Sequence, residues 1–256
     1  MISYREFHEK INQHNQQKLQ KADLFYLIEN KKIEELEFFL TKVLPKPNLE
    51  VTKDGYTPLM LAAKDSDFTM LKCLLDAKVE LDTANYLGVT ALMNLAGYHS
   101  SFKTKDATKK VPCIKALLEA KADPNRKDSQ GRTMLHQVSL YDFKKDYPEV
   151  LTILLEAKAD PNIQDNYGTT ALMNAAQSNS IEGIEILLSH KAEVHYPKFG
   201  RTAIDLATNA TCKALIKAAT PETPSCGGFL NNLFKANPTL PTISQLRSEI
   251  KTHSPE

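Results

Sequence analysis

The chain has 256 residues, of which 42% are hydrophobic and 25% are charged. This is ordinary globular usage, and 9 glycines with 13 prolines exclude a collagen-like or low-complexity chain. Lys and Arg (32) nearly balance Asp and Glu (31), for a net charge of +1, so we expect no overall attraction to nucleic acid or to an anionic membrane.

The cysteines and the amino terminus indicate the compartment. Cys73, Cys113, Cys212 and Cys226 lie far apart without a Cys-x-x-Cys pair, so we expect free thiols in a reducing compartment rather than disulfides or a zinc site. The amino terminus lacks an apolar h-region, and no window is apolar enough to span a bilayer. We therefore predict a cytoplasmic protein without membrane insertion.

Residues 1–52 are predicted to form an amino-terminal helix and a divergent capping unit. Segments 23–30 and 33–40 have the spacing of two helices but lack the Gly-x-Thr turn found later in the chain, which is typical of a cap. Ser3 and Glu6 have capping-box spacing for an earlier helix. That helix either packs on the cap or serves as a mobile arm or partner-binding helix.

One pattern recurs five times between residues 53 and 219. The copies are DGYTPLMLAA (54–63), LGVTALMNLA (87–96), QGRTMLHQVS (130–139), YGTTALMNAA (167–176) and FGRTAIDLAT (199–208). A Gly suits a tight turn with positive φ, and a Thr can cap the helix that follows it. Leu-Leu pairs at 74, 117, 154 and 187 mark a second helix in the first four units. The predicted units are about 53–85, 86–128, 129–165, 166–197 and 198–219.

These residues resemble the ankyrin repeat, a 33-residue unit of a β-turn and two antiparallel helices with a Thr-Pro-Leu-His signature. TPLM at 57–60 and TMLH at 133–136 each match three of those four letters. The resemblance implies an all-α solenoid of about six helix-turn-helix units with β-turn or hairpin loops. It covers roughly residues 54–219.

The resemblance also implies a concave surface that binds another protein. Turn tips and the exposed side of the first helices would form it, from Tyr56, Tyr86, Leu87, Tyr98, Arg132, Tyr141, Tyr167, Phe199 and Arg201. Tyr and Arg dominate the energetics of protein interfaces, which favours partner binding here. The alternative is that some of these rings pack between adjacent turns as structural filler. The pattern does not imply an oligomer.

The unit at Gly88 contains an insertion within residues 100–112. We expect a polar loop there, with basic residues at Lys103, Lys105, Lys109 and Lys110. Such a loop is either solvated surface or a binding site for phosphate or for an acidic protein.

The sequence indicates no catalytic residue, no metal site and no cofactor. It contains no His-Glu-x-x-His pair, no Gly-x-x-x-x-Gly-Lys-Ser/Thr loop and no Gly-x-Ser-x-Gly elbow. His136 holds the signature's His position, where the resemblance implies a structural hydrogen bond near the turn. Cys113 and His99 share a unit, but no third residue nearby would orient them.

Residues 220–256 are predicted to be a Pro-containing tail with short helices, since five prolines fall there. Its helices either fold back on the last repeat or carry a linear motif for a partner or a secretion machinery.

The leading hypothesis is a non-enzymatic scaffold or adaptor that binds another protein. The alternative keeps the fold and changes the role, because short divergent ankyrin proteins with a polar tail resemble effectors that intracellular bacteria deliver into eukaryotic cells. The chain would then act in the host cytosol, with residues 220–256 as its export signal. An enzyme with its site in the insertion or the tail is a third hypothesis.

Overall fold

The computed structural model describes residues 21–42, 55–96, 107–140, 147–194 and 200–220. Within these ranges the chain is helical and has no strand, which confirms the all-α prediction. The helices, in chain order, are α1 (Lys21–Glu29), α2 (Ile33–Lys42), α3 (Pro58–Lys64), α4 (Phe68–Asp76), α5 (Ala91–Leu95), α6 (Ala107–Glu119), α7 (Met134–Leu140), α8 (Tyr147–Glu156), α9 (Ala171–Gln177), α10 (Ile181–Ser189), α11 (Ala203–Leu206) and α12 (Ala210–Ala219).

The helices pack in consecutive pairs that stack in two layers. Within a pair the helices contact each other, as α3 contacts α4 and α9 contacts α10. In one layer α1 packs on α3, α3 on α5, α7 on α9 and α9 on α11, whereas α5 and α7 lack such close packing. In the other layer α2, α4, α6, α8, α10 and α12 pack in succession. We call α3, α5, α7, α9 and α11 the inner helices.

Threonine caps begin three of the inner helices. The Thr57 hydroxyl accepts a hydrogen bond from the Met60 N–H at 3.3 Å, and Pro58 occupies the first helical position, where a missing N–H costs nothing. Thr90 and Thr170 accept in the same way. At α11 the cap is reversed, because the Asp205 carboxylate accepts from both the N–H and the hydroxyl of Thr202 at 2.8 Å. The predicted Thr cap is thus confirmed at Thr57, Thr90 and Thr170.

The second helices end in a left-handed residue that is lysine rather than glycine. Lys121 has φ +80°, the Lys121 N–H donates to the Leu118 carbonyl, and the Ala122 N–H donates to the Leu117 carbonyl, both at 3.0 Å. This is the Schellman geometry that satisfies the last carbonyls of a helix. Positive φ recurs at the matching residues Lys78, Lys158 and Lys191. The recurring sequence, Leu-Leu-x-Ala-Lys in three units and Leu-Leu-Ser-His-Lys in the fourth, therefore encodes a helix end, at a cost of roughly 1 kcal/mol per non-Gly residue in this conformation.

The core lies between the two layers and between neighbouring pairs. The first leucine of each Leu-Leu pair is 0% exposed, at Leu74, Leu117, Leu154 and Leu187. Burying a leucine side chain contributes about 1.5–3 kcal/mol. These four residues repeat at one position of the unit, so the core is a series of similar interfaces rather than one central cluster.

Asparagine carboxamides that follow the second helices in the sequence connect one unit to the next. The Asn125 Oδ1 accepts from the Asp160 N–H at 2.8 Å, and the Asn125 Nδ2 donates to the Lys158 carbonyl at 3.2 Å. Asn162 makes the same two bonds in the next unit, to Glu193 and Lys191. Each carboxamide therefore uses both its donor and its acceptor across a unit boundary.

Asp82 holds the matching position one unit earlier but can only accept. Both of its carboxylate oxygens receive the Asp123 N–H, at 3.1 and 3.3 Å. Burial raises the pKa of the Asp82 carboxyl, and the nearby Asp123 carboxylate raises it further. A carboxamide would relieve this repulsion and supply a donor for the Lys121 carbonyl.

Asp82→Asn is therefore expected to stabilise the chain. We expect a gain of about 1 kcal/mol in the free energy of unfolding, the usual contribution of one added hydrogen bond. Urea denaturation at pH 7 measures it. The matched control is Asn125→Asp, which removes the donor to Lys158 and should destabilise the chain by a similar amount. If Asp82→Asn and the wild type were equally stable, the carboxamide at this position would not stabilise the unit boundary as proposed.

Candidate functional site

Three of the turns before the inner helices are held by a side chain three residues before the glycine. The Asp128 Oδ1 accepts the N–H groups of Gln130 and Arg132, both at 2.8 Å. Asn85 and Asp165 cap their own turns in the same way. All five turn glycines have φ between +73° and +82°, as predicted. At Gly88 a Cβ would also lie 2.8 Å from the Ser129 nitrogen, so a side chain there would separate two turns.

Adjacent turns are bonded to each other. The Ser129 N–H donates to the Leu87 carbonyl at 2.8 Å, and the Asn166 N–H donates to the Gln130 carbonyl at 2.9 Å. The Asn166 Nδ2 also donates to the Ser129 carbonyl at 3.0 Å. The turns at Gly88, Gly131 and Gly168 therefore form a continuous row.

Two of the predicted tyrosines project from this row. Tyr86 is 77% exposed and Tyr167 is 57% exposed, the highest values among large hydrophobic side chains in the described ranges, where Phe68 follows at 42%. A Cβ built on Gly55 would lie 2.5 Å from a ring carbon of Tyr86. The Tyr86 ring thus contacts the preceding turn, which agrees with the alternative that these rings pack between adjacent turns. Most of its surface nevertheless stays exposed to solvent.

Tyr56 is less accessible than these two. Its ring is half-buried and packs against the core, and the Lys64 Nζ lies 5.2 Å from the ring centroid. Burial raises the pKa of the Tyr56 phenol, with a smaller contribution from Tyr86. We call Tyr56, Tyr86 and Tyr167 the tyrosine face.

The other described residues of the predicted surface differ in their surroundings. The Arg132 Nε donates to the Asp128 Oδ2 at 3.0 Å, and the Asp128 side chain is 0% exposed. Arg132 therefore stabilises its own turn. Leu87 is partly buried against the core, whereas Arg201 is exposed. Tyr98, Tyr141 and Phe199 lie outside the described residues.

The described end of the basic insertion is helical. Lys109 and Lys110 lie in α6, which begins at Ala107 and continues through Pro112, so the prediction that they belong to a loop was wrong. Pro112 removes one helical hydrogen bond, and α6 nevertheless continues through it. Lys103 and Lys105 lie outside the described residues, as do His99 and residues 221–256 of the tail.

His136 connects two turns from a buried position. Its Nε2 lies 2.9 Å from the Thr169 carbonyl oxygen, so Nε2 carries the hydrogen, because a carbonyl can only accept. Its Nδ1 then accepts from the Thr133 N–H at 3.2 Å and from the Thr133 hydroxyl at 2.9 Å. The ring is 1% exposed, and burial lowers the pKa of the imidazole. The neutral ring is the form that fits.

The described cysteines and acids do not form a reactive centre. Burial raises the pKa of both the Cys73 and the Cys113 thiol to about 11, so both stay protonated and weakly nucleophilic at neutral pH. In the described ranges no cluster of His, Cys, Asp and Glu could hold a metal ion. No helix there is long and apolar enough to cross a membrane.

Sequence reasoning did not single out two buried amides on the inner helices, Asn94 and Gln137. They share one repeat position with Leu61 and Leu206. A polar residue where other units place leucine was the signal that could have found them.

Comparison with family models agrees with this geometry. A model of three ankyrin repeats matches residues 141–224, and a model of a single ankyrin repeat matches residues 54–83. The chain is an ankyrin-repeat protein. A search among curated proteins found no match. Ankyrin repeats are generally protein–protein interaction modules, and proteins built from them are typically non-enzymatic scaffolds.

The buried ring of this ankyrin-repeat protein predicts a pH dependence of stability. The folded-state pKa of His136 lies below the unfolded value near 6.5, so the unfolded chain binds the proton first. The contribution of the ring is complete above about pH 6.5 and is lost as the pH falls towards the folded pKa. His136→Gln should cost about 1–3 kcal/mol at pH 7.5, and this difference from the wild type should shrink at pH 5.5.

Urea denaturation of both proteins at the two pH values measures the difference. Met173→Leu is the matched control, since it changes the same repeat position without a titrating group and should shift stability equally at both pH values. If the curves of wild type and His136→Gln ran parallel, His136 would not carry the pH dependence.

Proposed function

We propose that this ankyrin-repeat chain is a non-enzymatic scaffold that binds another protein through the tyrosine face, with Leu87 and Arg201 beside it. The observation that carries the proposal is the exposure of Tyr86 and Tyr167, 77% and 57%. Tyrosines bury a large area at an interface at low entropic cost. Neither ring is needed to fill the core.

The rigidity of the turn row supports the same role. Both tyrosines extend from turns capped by Asn85 or Asp165, and hydrogen bonds between turns fix the row. A surface already fixed before binding loses less conformational entropy when the partner arrives.

The chemistry of the described residues supports a role without catalysis. The Cys113 thiol has a raised pKa of about 11, and both ring nitrogens of His136 are engaged in structural contacts. No disulfide joins Cys73, Cys113 or Cys212 in the described part of the chain, which supports the proposal of a cytoplasmic setting. Delivery into a eukaryotic host, with residues 220–256 as export signal, stays a separate prediction.

The double variant Tyr86→Ala/Tyr167→Ala tests the tyrosine face. The wild-type chain captures its partner from a cell lysate, the partner is identified and purified, and titration calorimetry then gives affinities. Because hot-spot tyrosines contribute about 2 kcal/mol or more each, the double variant should lose most of the affinity. Its thermal unfolding should stay close to that of the wild type, since surface substitutions usually change stability by about 0.5 kcal/mol.

Tyr26→Ala/Phe68→Ala is the matched control, because both rings are exposed, at 41% and 42%, but belong to α1 and α4 rather than to the turn row. This control should bind as the wild type does. Full affinity of the tyrosine-face variant, or equal losses in both variants, would contradict the proposal.

A further inference from the structure

Two neighbouring boundaries of the stack differ in strength. The helix pair α7–α8 lies between the pair α5–α6 and the pair α9–α10. We call its contact with α5–α6 the middle boundary and its contact with α9–α10 the distal boundary. Because α7–α8 takes part in both, the two boundaries can be compared position by position.

Hydrogen bonds hold the distal boundary along the whole length of the inner helices. At the turn end, the turns at Gly131 and Gly168 are bonded to each other. Halfway along α9, the Asn174 Nδ2 donates to the His136 carbonyl on α7 at 2.9 Å. At the far end, the Ser178 Oγ donates to the Leu140 carbonyl at 2.7 Å. Helices α7 and α9 accordingly pack closely.

The middle boundary is bonded only at the turn end of the inner helices. The Ser129 N–H donates to the Leu87 carbonyl at 2.8 Å. Beyond that turn, no direct hydrogen bond joins α5 to α7 among the described residues. The backbones of these two helices also approach each other less closely than those of the other consecutive inner helices. The middle boundary therefore lacks both the bonds and the packing that strengthen the distal one.

The polar contacts on the outer side are also weaker at the middle boundary. The Lys115 Nζ and the Glu149 Oε1 lie 3.3 Å apart, but these side chains are 50% and 54% exposed, and exposed ion pairs contribute little. Burial raises the pKa of the Asp82 carboxyl, and the charge of Asp123 across the boundary raises it further. At the distal boundary the matching residue is Asn125, which has no charge and uses both ends of its carboxamide.

A weak interface limits how far a local opening spreads through a stack of repeats. Each pair is stabilised by its own contacts and by the contacts with its two neighbours. An opening on one side of a strong boundary therefore destabilises the next pair, whereas a weak boundary leaves that pair closed. Because the middle boundary is weaker than the distal one, we expect cooperativity to divide there.

We propose that the chain consists of two cooperative blocks, α1–α6 with the turns that lead into these helices and α7–α12, which separate at the middle boundary. The bond between Ser129 and Leu87 is the pivot, so α5 and α7 move apart at their ends away from the turns while each block stays folded. Tyr86 lies on the first block and Tyr167 on the second. A partner that contacts both rings thus spans the boundary and holds the blocks together. The division itself does not depend on the proposed function.

Two matched substitutions beside the middle boundary test the division. Leu117→Ala on α6 and Leu154→Ala on α8 each truncate a leucine that is 0% exposed at the same repeat position. Each leucine has one neighbouring pair in its own block and one across the middle boundary. Native-state hydrogen exchange of the full-length chain, followed by mass spectrometry at several urea concentrations, reports the opening of each pair.

The two variants should give mirror-image results. Leu117→Ala should speed exchange in α3–α4 about 30-fold or more, the lower end of the range for a buried Leu→Ala. It should change exchange in α7–α8 by less than about threefold, as expected for sites that are not coupled. Leu154→Ala should speed exchange in α9–α10 and leave α5–α6 nearly unchanged. In the wild type, the amides should fall into two groups, one for each block.

Equal acceleration on both sides of the substituted pair would overturn the inference. A wild-type chain that exchanges as a single group, or that divides at another boundary, would overturn it as well, and this measurement decides even where a variant does not fold. The tyrosine face is tested separately, by the calorimetry on Tyr86→Ala/Tyr167→Ala.

Discussion

The helices of this chain are too short to be stable alone, so each pair depends on the apolar surface that it buries against the next pair. The inner helices α5 and α11 have 5 and 4 residues and the longest described helix, α6, has 13, whereas isolated helices below about 12–15 residues are marginal in water. Leu74, Leu117, Leu154 and Leu187 are fully buried at equivalent positions. Stability is thus a sum over neighbouring interfaces, and a defect at one interface has its main effect on adjacent units.

Polar groups fix the register that apolar burial alone would leave loose. Asn125 and Asn162 each bridge a unit boundary through both ends of the carboxamide, and His136 connects Thr133 to Thr169 through a buried neutral ring. Because these bonds have defined directions, they hold the turns in line. Tyr86 and Tyr167 extend from these aligned turns, which connects the packing to the proposed binding surface.

What could be predicted from the sequence was the part that each unit encodes by itself. The caps at Thr57, Thr90 and Thr170 and the all-α fold follow from residues within one unit. The roles of Arg132, Asn94 and Gln137 depend on what the folded chain places beside them. Arg132 pairs with Asp128, and Asn94 and Gln137 are buried, which is apparent only once the chain is folded. The start of α6 was missed because the polar composition of residues 100–112 favoured a loop, whereas the helix begins at Ala107 and extends past Pro112.

Hydrogen–deuterium exchange of the full chain, with and without its purified partner, tests most directly the claim that one side of the stack is the binding surface. Amides of the turns at Gly88 and Gly168 and of the inner helices α5 and α7 should exchange more slowly in the complex. Those of α4, α8 and α10 in the other layer should be unchanged. Slowed exchange confined to α4, α8 and α10 would place the partner on the opposite side and contradict the account.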